Sequence, residues 1–178
     1  DSKIFKGKSS VVNGGFSFDF IVPKDIKIAF GEEIDINGNT IFKKGKISLY
    51  ANDTLTYKEK AGYNIDITVG GIDENAPEDT TGPELKLFMN DESFIDGGNT
   101  NASPNLIAVL SDISGINTSI TAIDHDIIGV LDGDALNPLV LNDFYETELD
   151  DFTKGKVTYR LRDLEVGPHT LKIKAWKT

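Results

Sequence analysis

Apolar residues in this chain recur at every second position, and that spacing restricts the fold more than any other feature. Phe16, Phe18, Phe20 and Val22 alternate with polar or smaller residues, and so do Tyr63, Ile65, Ile67 and Val69. Val157, Tyr159 and Leu161 repeat the pattern, as do Leu171, Ile173 and Ala175. Successive side chains of a strand point to opposite faces, so such segments bury one face and wet the other. Leu106-Ile-Ala-Val-Leu110 is a continuous apolar run, as expected of a central strand covered on both faces. No window sustains a helical period, and Ile120 to Ile127 has room for one short helical turn. The expected class is all-β.

Turn chemistry divides these runs. Asn37-Gly38 lies between Ile34/Ile36 and Ile41/Phe42 and marks a hairpin, because both residues tolerate positive φ. Asn13-Gly14, Gly97-Gly98, Asp132-Gly133 and Gly167-Pro168 mark further turns. Residues 70–83 hold two prolines, three glycines and four acids, a composition that neither donates to a ladder nor packs. Two β-sandwich domains are therefore expected, 1–71 and 84–178, joined by an acidic Pro/Gly linker at 72–83. The second would be immunoglobulin-like, with strands near 84–90, 105–111, 127–131, 138–142, 144–149, 156–162 and 169–176. The first offers fewer strands, near 3–12, 15–22, 27–43 as a hairpin, 46–51 and 63–70.

A formal net charge of −11 over 178 residues disfavours a nucleic-acid partner, whose phosphates would be repelled. The absence of cysteine removes disulfides, thiolate nucleophiles and cysteine-ligated metal centres together. No apolar run is long enough to span a membrane as a helix. The polar start at Asp1 is not a signal peptide, and both ends read as those of an internal piece of a longer chain.

Gly-x-Ser-x-Gly, the P-loop, the dinucleotide fingerprint and His-Glu-x-x-His are all missing. His125 sits between Asp124 and Asp126, and His169 follows Gly167-Pro168; with no nucleophile to serve, both read as turn residues. No catalytic residue and no cofactor are expected. Clustered acids raise the question of calcium, which takes several oxygen ligands. The candidates are Asp79, Asp112 and Asp163, with Glu165, Asp73 and Glu74 near them at one pole of the second domain. A solvated junction without metal is the expectation, since no spacing matches an EF-hand loop. Phe144, Tyr145 and Phe152 lie beside acidic loops, either as a patch for a partner or as caps on the core.

Several longer stretches together resemble a known family. They are Met89-Asn-Asp-Glu-Ser-Phe94, Asp112-Ile-Ser-Gly-Ile-Asn117, Leu141-Asn-Asp-Phe-Tyr145, Asp150-Asp-Phe-Thr-Lys-Gly-Lys-Val157 and Leu164-Glu-Val-Gly-Pro-His-Thr-Leu171 with Lys174-Ala-Trp176. In the first half they are Phe5-Lys-Gly-Lys-Ser-Ser-Val11, Phe20-Ile-Val-Pro-Lys-Asp-Ile26 and Gly45-Lys-Ile-Ser-Leu-Tyr-Ala51. The set resembles the C-terminal region of the type IX secretion system sortases of Bacteroidetes, gingipain-like cysteine proteases. Two departures stand out: 32–43 looks like an insertion, and Lys177 replaces an expected Asp. The resemblance implies a parent enzyme that cleaves C-terminal export signals and attaches cargo to surface lipopolysaccharide. It implies an outer-membrane β-barrel partner, exported cargo, and a place on the outer face of the outer membrane. The family's catalytic Cys and His belong to an upstream domain, so none transfers here, and this fragment is not itself expected to be an enzyme. The alternative is a stand-alone bacterial surface adhesion or carbohydrate-binding module.

Overall fold

The computed structural model describes residues 3–23, 33–34, 36–38, 40–41, 44–68, 74–75, 79–119 and 125–178. Contacts divide the chain into two units, one of residues 27–76 and one that joins 1–26 to 77–178. The expected grouping of 1–71 differs from this, because residues 1–26 keep company with the C-terminal half. Every described strand pairing is antiparallel, and no α-helix occurs among the described residues.

The smaller unit holds two hairpins. In the first, β1 (Glu33–Ile34) pairs with β2 (Thr40–Ile41), with Gly38 at φ 83° in the loop between them; Asn37 does not take the positive φ that a two-residue Asn-Gly turn needs. In the second, β3 (Gly45–Asp53) pairs with β4 (Lys58–Ile67). Its turn is fixed by Asp53, whose Oδ1 accepts from Leu55 N at 2.9 Å and whose Oδ2 accepts from Thr56 Oγ1 at 2.5 Å.

Among its described residues the larger unit contains seven strands at the spacing the sequence predicts: β5 (Glu84–Met89), β6 (Asn105–Ser111), β7 (Ile128–Leu131), β8 (Leu139–Val140), β9 (Tyr145–Glu148), β10 (Asp151–Arg160) and β11 (Leu171–Lys174). A single 3₁₀ turn at Asn142–Phe144 leads into β9. One sheet runs β5-β6-β10-β9, and the other runs β11-β7-β8. Strand β6 is central in its sheet, paired with β5 and β10, and its run is buried on one face, while Ile107 and Val109 on the other are only partly buried. Leu106, Ala108 and Leu110 on its inner face are fully buried. Around them sit Val157, Leu161, Tyr145, Ile127 and Leu141, with Leu85 and Leu87 packing from β5 and Ile173 from β11. Burying each of the leucines contributes about 1.5–3 kcal/mol.

Segment 3–23 departs from expectation. In place of strands at 3–12 and 15–22 it runs extended, with one two-residue turn in which Val12 and Gly15 exchange backbone hydrogen bonds. Asn13 and Gly14 take the positive φ that the turn demands, 52° and 82°. Its fastening is made largely through side chains. Ser10 N donates to Asp150 Oδ1 at 2.7 Å and Ser9 Oγ to the same oxygen at 3.1 Å. Among the described residues its backbone bonding to the rest of the unit runs through Lys8: Asp150 N donates to Lys8 O at 3.1 Å, beside a parallel bridge from Lys8 to Leu149.

Candidate functional site

The alternating phenylalanines of segment 3–23 stand on one side of an extended chain and form a row. Ring centroids lie 6.3 Å apart for Phe16 and Phe18 and 6.1 Å for Phe18 and Phe20, with planes nearly parallel. Phe5, from the other arm of the turn, stacks on Phe20 at 4.4 Å. The row is only half-buried: Phe16 keeps 48% of its surface exposed and Phe18 39%. Beneath it a cavity of about 570 Å³ is lined by Phe5, Phe16, Phe18, Thr147, Asp150 and Phe152, among others. Lys8 and Glu146 pair at 2.5 Å beside it, and Lys3 and Asp143 pair at 3.1 Å. Exposed pairs of this kind hold about 1 kcal/mol or less each, so the aromatic row and the Asp150 hydrogen bonds do more to seat the segment.

The three aromatic candidates do not share one surface. Phe152 is partly buried and lines this cavity. Phe144 is exposed and meets the Tyr159 ring edge-on at 4.8 Å. Tyr145 is core: it is 4% exposed, its hydroxyl has no hydrogen-bond partner, and burial pushes its pKa well up, with Asp151 and Glu148 adding to the effect.

The acidic candidates separate too. Asp79 Oδ2 accepts from Ser114 Oγ at 2.8 Å, and its Oδ1 accepts from Thr81 N at 3.0 Å. Lys177 Nζ lies 3.1 Å from Oδ1 and also donates to the Asp79 carbonyl. Together the Ser114 hydroxyl, the Thr81 N–H and the Lys177 ammonium hold the Asp79 carboxyl far below the usual carboxylate range. Asp112 is buried beside it and accepts from Ser114 N at 2.8 Å. Burial pushes its pKa up, the Ser114 N–H pulls part of it back, and the charge of Asp79 raises it again. Asp163 is exposed in another loop, at φ 53°, with its N–H donating to Ser103 Oγ at 3.2 Å. Among the described residues no three His, Asp or Glu side chains converge as metal ligands. Asp73 lies outside the described residues, and Glu74 is exposed.

The sequence reading overlooked Ser114 and Lys177, which take up the oxygens of Asp79, and Asp150, which anchors the N-terminal segment. One available signal was Lys177 itself, a cation directly after Trp176 where the resemblance led to an acid.

This latch of Asp79 with Ser114 and Lys177, and Asp112 beside it, gives opposite pH signs at its two acids. The Asp79 pKa is lowered in the folded state, so its contribution is complete above its ordinary value of 3.8 and is lost as pH falls below that. The Asp112 pKa is raised, so its ionisation opposes folding from its ordinary value upward. At neutral pH, Asp79→Asn is expected to lower the melting temperature, whereas Asp112→Asn, which keeps the acceptor for Ser114 N, is expected to raise it or leave it unchanged. In thermal melts toward acid the Asp112 difference should vanish first, near that group's ordinary value, whereas the Asp79 difference should begin to shrink only below 3.8 and persist well beyond it. An Asp79→Asn chain as stable as the parent at neutral pH would contradict the latch.

The two histidines are turn and loop residues. His125 packs its ring 4.8 Å from that of Trp176. His169 lies between Asp132 and the carbonyl of Glu165. No helix among the described residues is long and apolar enough to cross a membrane.

No family model matches the chain, and no curated protein matches it. Among solved structures, the crystal structure of dimeric latent PorU from Porphyromonas gingivalis matches 94% of this chain at 31% identity, with a TM-score of 0.55. The chain spans 14% of the length of that PorU chain. Sequence and backbone thus agree in likening this chain to one segment of PorU.

Proposed function

We propose that this chain is a non-catalytic β-sandwich segment of a PorU-like type IX secretion sortase, and that it positions the protease part or contacts its partners. The observation that carries the reading is the 31% identity to PorU over 94% of the chain, which coincides with the family resemblance of the loop motifs. The strand order supports the immunoglobulin-like part of it: β5-β6-β10-β9 follows the A-B-E-D order of such sandwiches, with β7 and β11 in the facing sheet. In this reading the parent protein cleaves C-terminal export signals and attaches cargo on the outer face of the outer membrane. The thiolate that such chemistry needs comes from elsewhere in the parent, since this chain has no cysteine.

The contact surface we assign is the half-exposed row of Phe16 and Phe18 with Phe152 beneath it, and Phe144 as a separate exposed ring. No calcium is required, because the oxygens of Asp79 are engaged by Ser114, Thr81 and Lys177.

The test is a pull-down from outer-membrane extract with the whole chain as bait, read by mass spectrometry. Recovery of a secretion-system β-barrel, reduced for Phe16→Ser/Phe18→Ser, is expected. The bait should turn over no fluorogenic peptide in reducing buffer, and calcium should leave its melting temperature unchanged against chelator. Enrichment of glycans without a barrel would favour the adhesion or carbohydrate-binding reading and overturn this one.

A further inference from the structure

We propose that protonated His169, anchored on the loop after β7, clasps the turn 165–168 of its own loop in the larger unit, and that raising the pH releases that turn. The first loop follows β7 and begins at Asp132, and the second joins β10 to β11 across residues 161–170. His169 Nδ1 lies 2.7 Å from Asp132 Oδ2, and Nε2 lies 2.8 Å from the Glu165 carbonyl oxygen. A carbonyl oxygen only accepts, and so does a carboxylate, so both ring nitrogens have to carry a proton. Only the imidazolium satisfies both contacts.

The Asp132 end is fixed independently of the ring. Its Oδ1 accepts from Thr170 N at 2.7 Å, and its own N–H donates to Thr170 O at 2.7 Å. A neutral ring therefore keeps its one proton on Nδ1 and turns a lone pair toward the Glu165 carbonyl. The second loop is held at its start, where Leu161 N donates to Pro104 O at 3.0 Å and Leu164 N to Ala102 O at 2.9 Å. What is left to move is the turn 165–168, with Val166 fully exposed and Gly167 at φ 156°.

The charged groups facing the ring are Asp132 from the first loop and Glu165 from its own, and both favour the imidazolium. Asp134, further along the first loop, is turned to Asn137 at 2.9 Å. The Glu165 carbonyl, then the Asp132 carboxylate, raise the His169 pKa above its ordinary 6.5, against a smaller effect of burial. The contribution is thus whole below that ordinary value and is lost as pH rises through the folded one.

Ring signals of the full chain, followed by NMR across pH and assigned with His169→Gln, test the clasp together with backbone 15N relaxation at Glu165, Val166 and Gly167. The His169 midpoint should lie above that of the same residue in urea-unfolded chain. The order parameters of the three residues should fall through that midpoint. Asp132→Asn should move both midpoints down together, and His169→Gln should make the order parameters of the turn independent of pH. A midpoint at or below the unfolded one, order parameters that ignore it, or an unchanged pH dependence in His169→Gln would each overturn the proposal.

Discussion

Replacing Gly155 with valine is expected to cost at least about 3 kcal/mol, the upper end of what single substitutions do. Gly155 lies in β10 where the pairing with β9 is irregular, opposite Thr147 on one side and Leu110 on the other. A Cβ there would sit 2.5 Å from the Tyr145 ring carbon Cζ and its hydroxyl, and would strike the Glu146 carbonyl oxygen. Neither neighbour yields cheaply. Glu146 O is backbone of the paired strand, and Tyr145 is 4% exposed within the core. Overpacking that side chains absorb costs about 1–3 kcal/mol; here β9 also has to part from β10 or the tyrosine has to leave the core. Gly133→Ala is the control. Its φ of 79° is strained for alanine, yet nothing lies within 4 Å of the new methyl. That change should cost about 1 kcal/mol. Urea denaturation of both variants decides the matter, and a Gly155→Val chain within 1 kcal/mol of the parent (about a fivefold change in the folding constant) would sink the packing argument.

Much of the larger unit was legible in the sequence because two signals coincided there. Period-2 runs ended at residues able to take positive φ, and the structure puts Gly97, Asp132, Gly133 and Gly167 at such angles. The uninterrupted run 106–110 forecast a central strand, and β6 has neighbours on both edges and buried leucines on its inner face, with Ile107 and Val109 only partly buried on the other. In segment 3–23 the same alternation forecast strands that do not form. Alternation says that one side of an extended chain is apolar; it does not say what supplies the ladder. Here side chains, led by Asp150, take much of that part from 140 residues away. Asp79 shows a related limit. Acids near a linker suggest a cation, and the sequence leaves open which one. The structure supplies an ammonium from Lys177, 98 residues further on. Tyr145 was ambiguous between patch and core for a similar reason: the glycine that makes room for its ring is ten residues away and across a strand pair.

Buried polar residues leave no trace in an apolar pattern, and Asn142 is one whose loss should be felt strongly. It is 6% exposed at the start of the 3₁₀ turn before β9. Its Oδ1 accepts from Ile127 N at 3.0 Å and its Nδ2 donates to Thr118 O at 3.3 Å, so one side chain satisfies backbone groups from two separate segments. Asn142→Leu keeps the size of the side chain and removes both bonds. Leaving a buried donor or acceptor unpaired costs about 1–3 kcal/mol, so about 2–6 kcal/mol is expected for the pair. That is comparable to Leu106→Ala, at about 2–5 kcal/mol for a fully buried leucine in the same core. Asn142→Asp separates the two bonds. It retains the acceptor for Ile127 N but sets a carboxylate oxygen against the Thr118 carbonyl. Its defect should be large at neutral pH and partly relieved below about pH 4, where a protonated carboxyl donates again. Denaturation midpoints of the three variants at both pH values test this. If Asn142→Leu matched the parent, the stability of this region would rest on its apolar contacts alone.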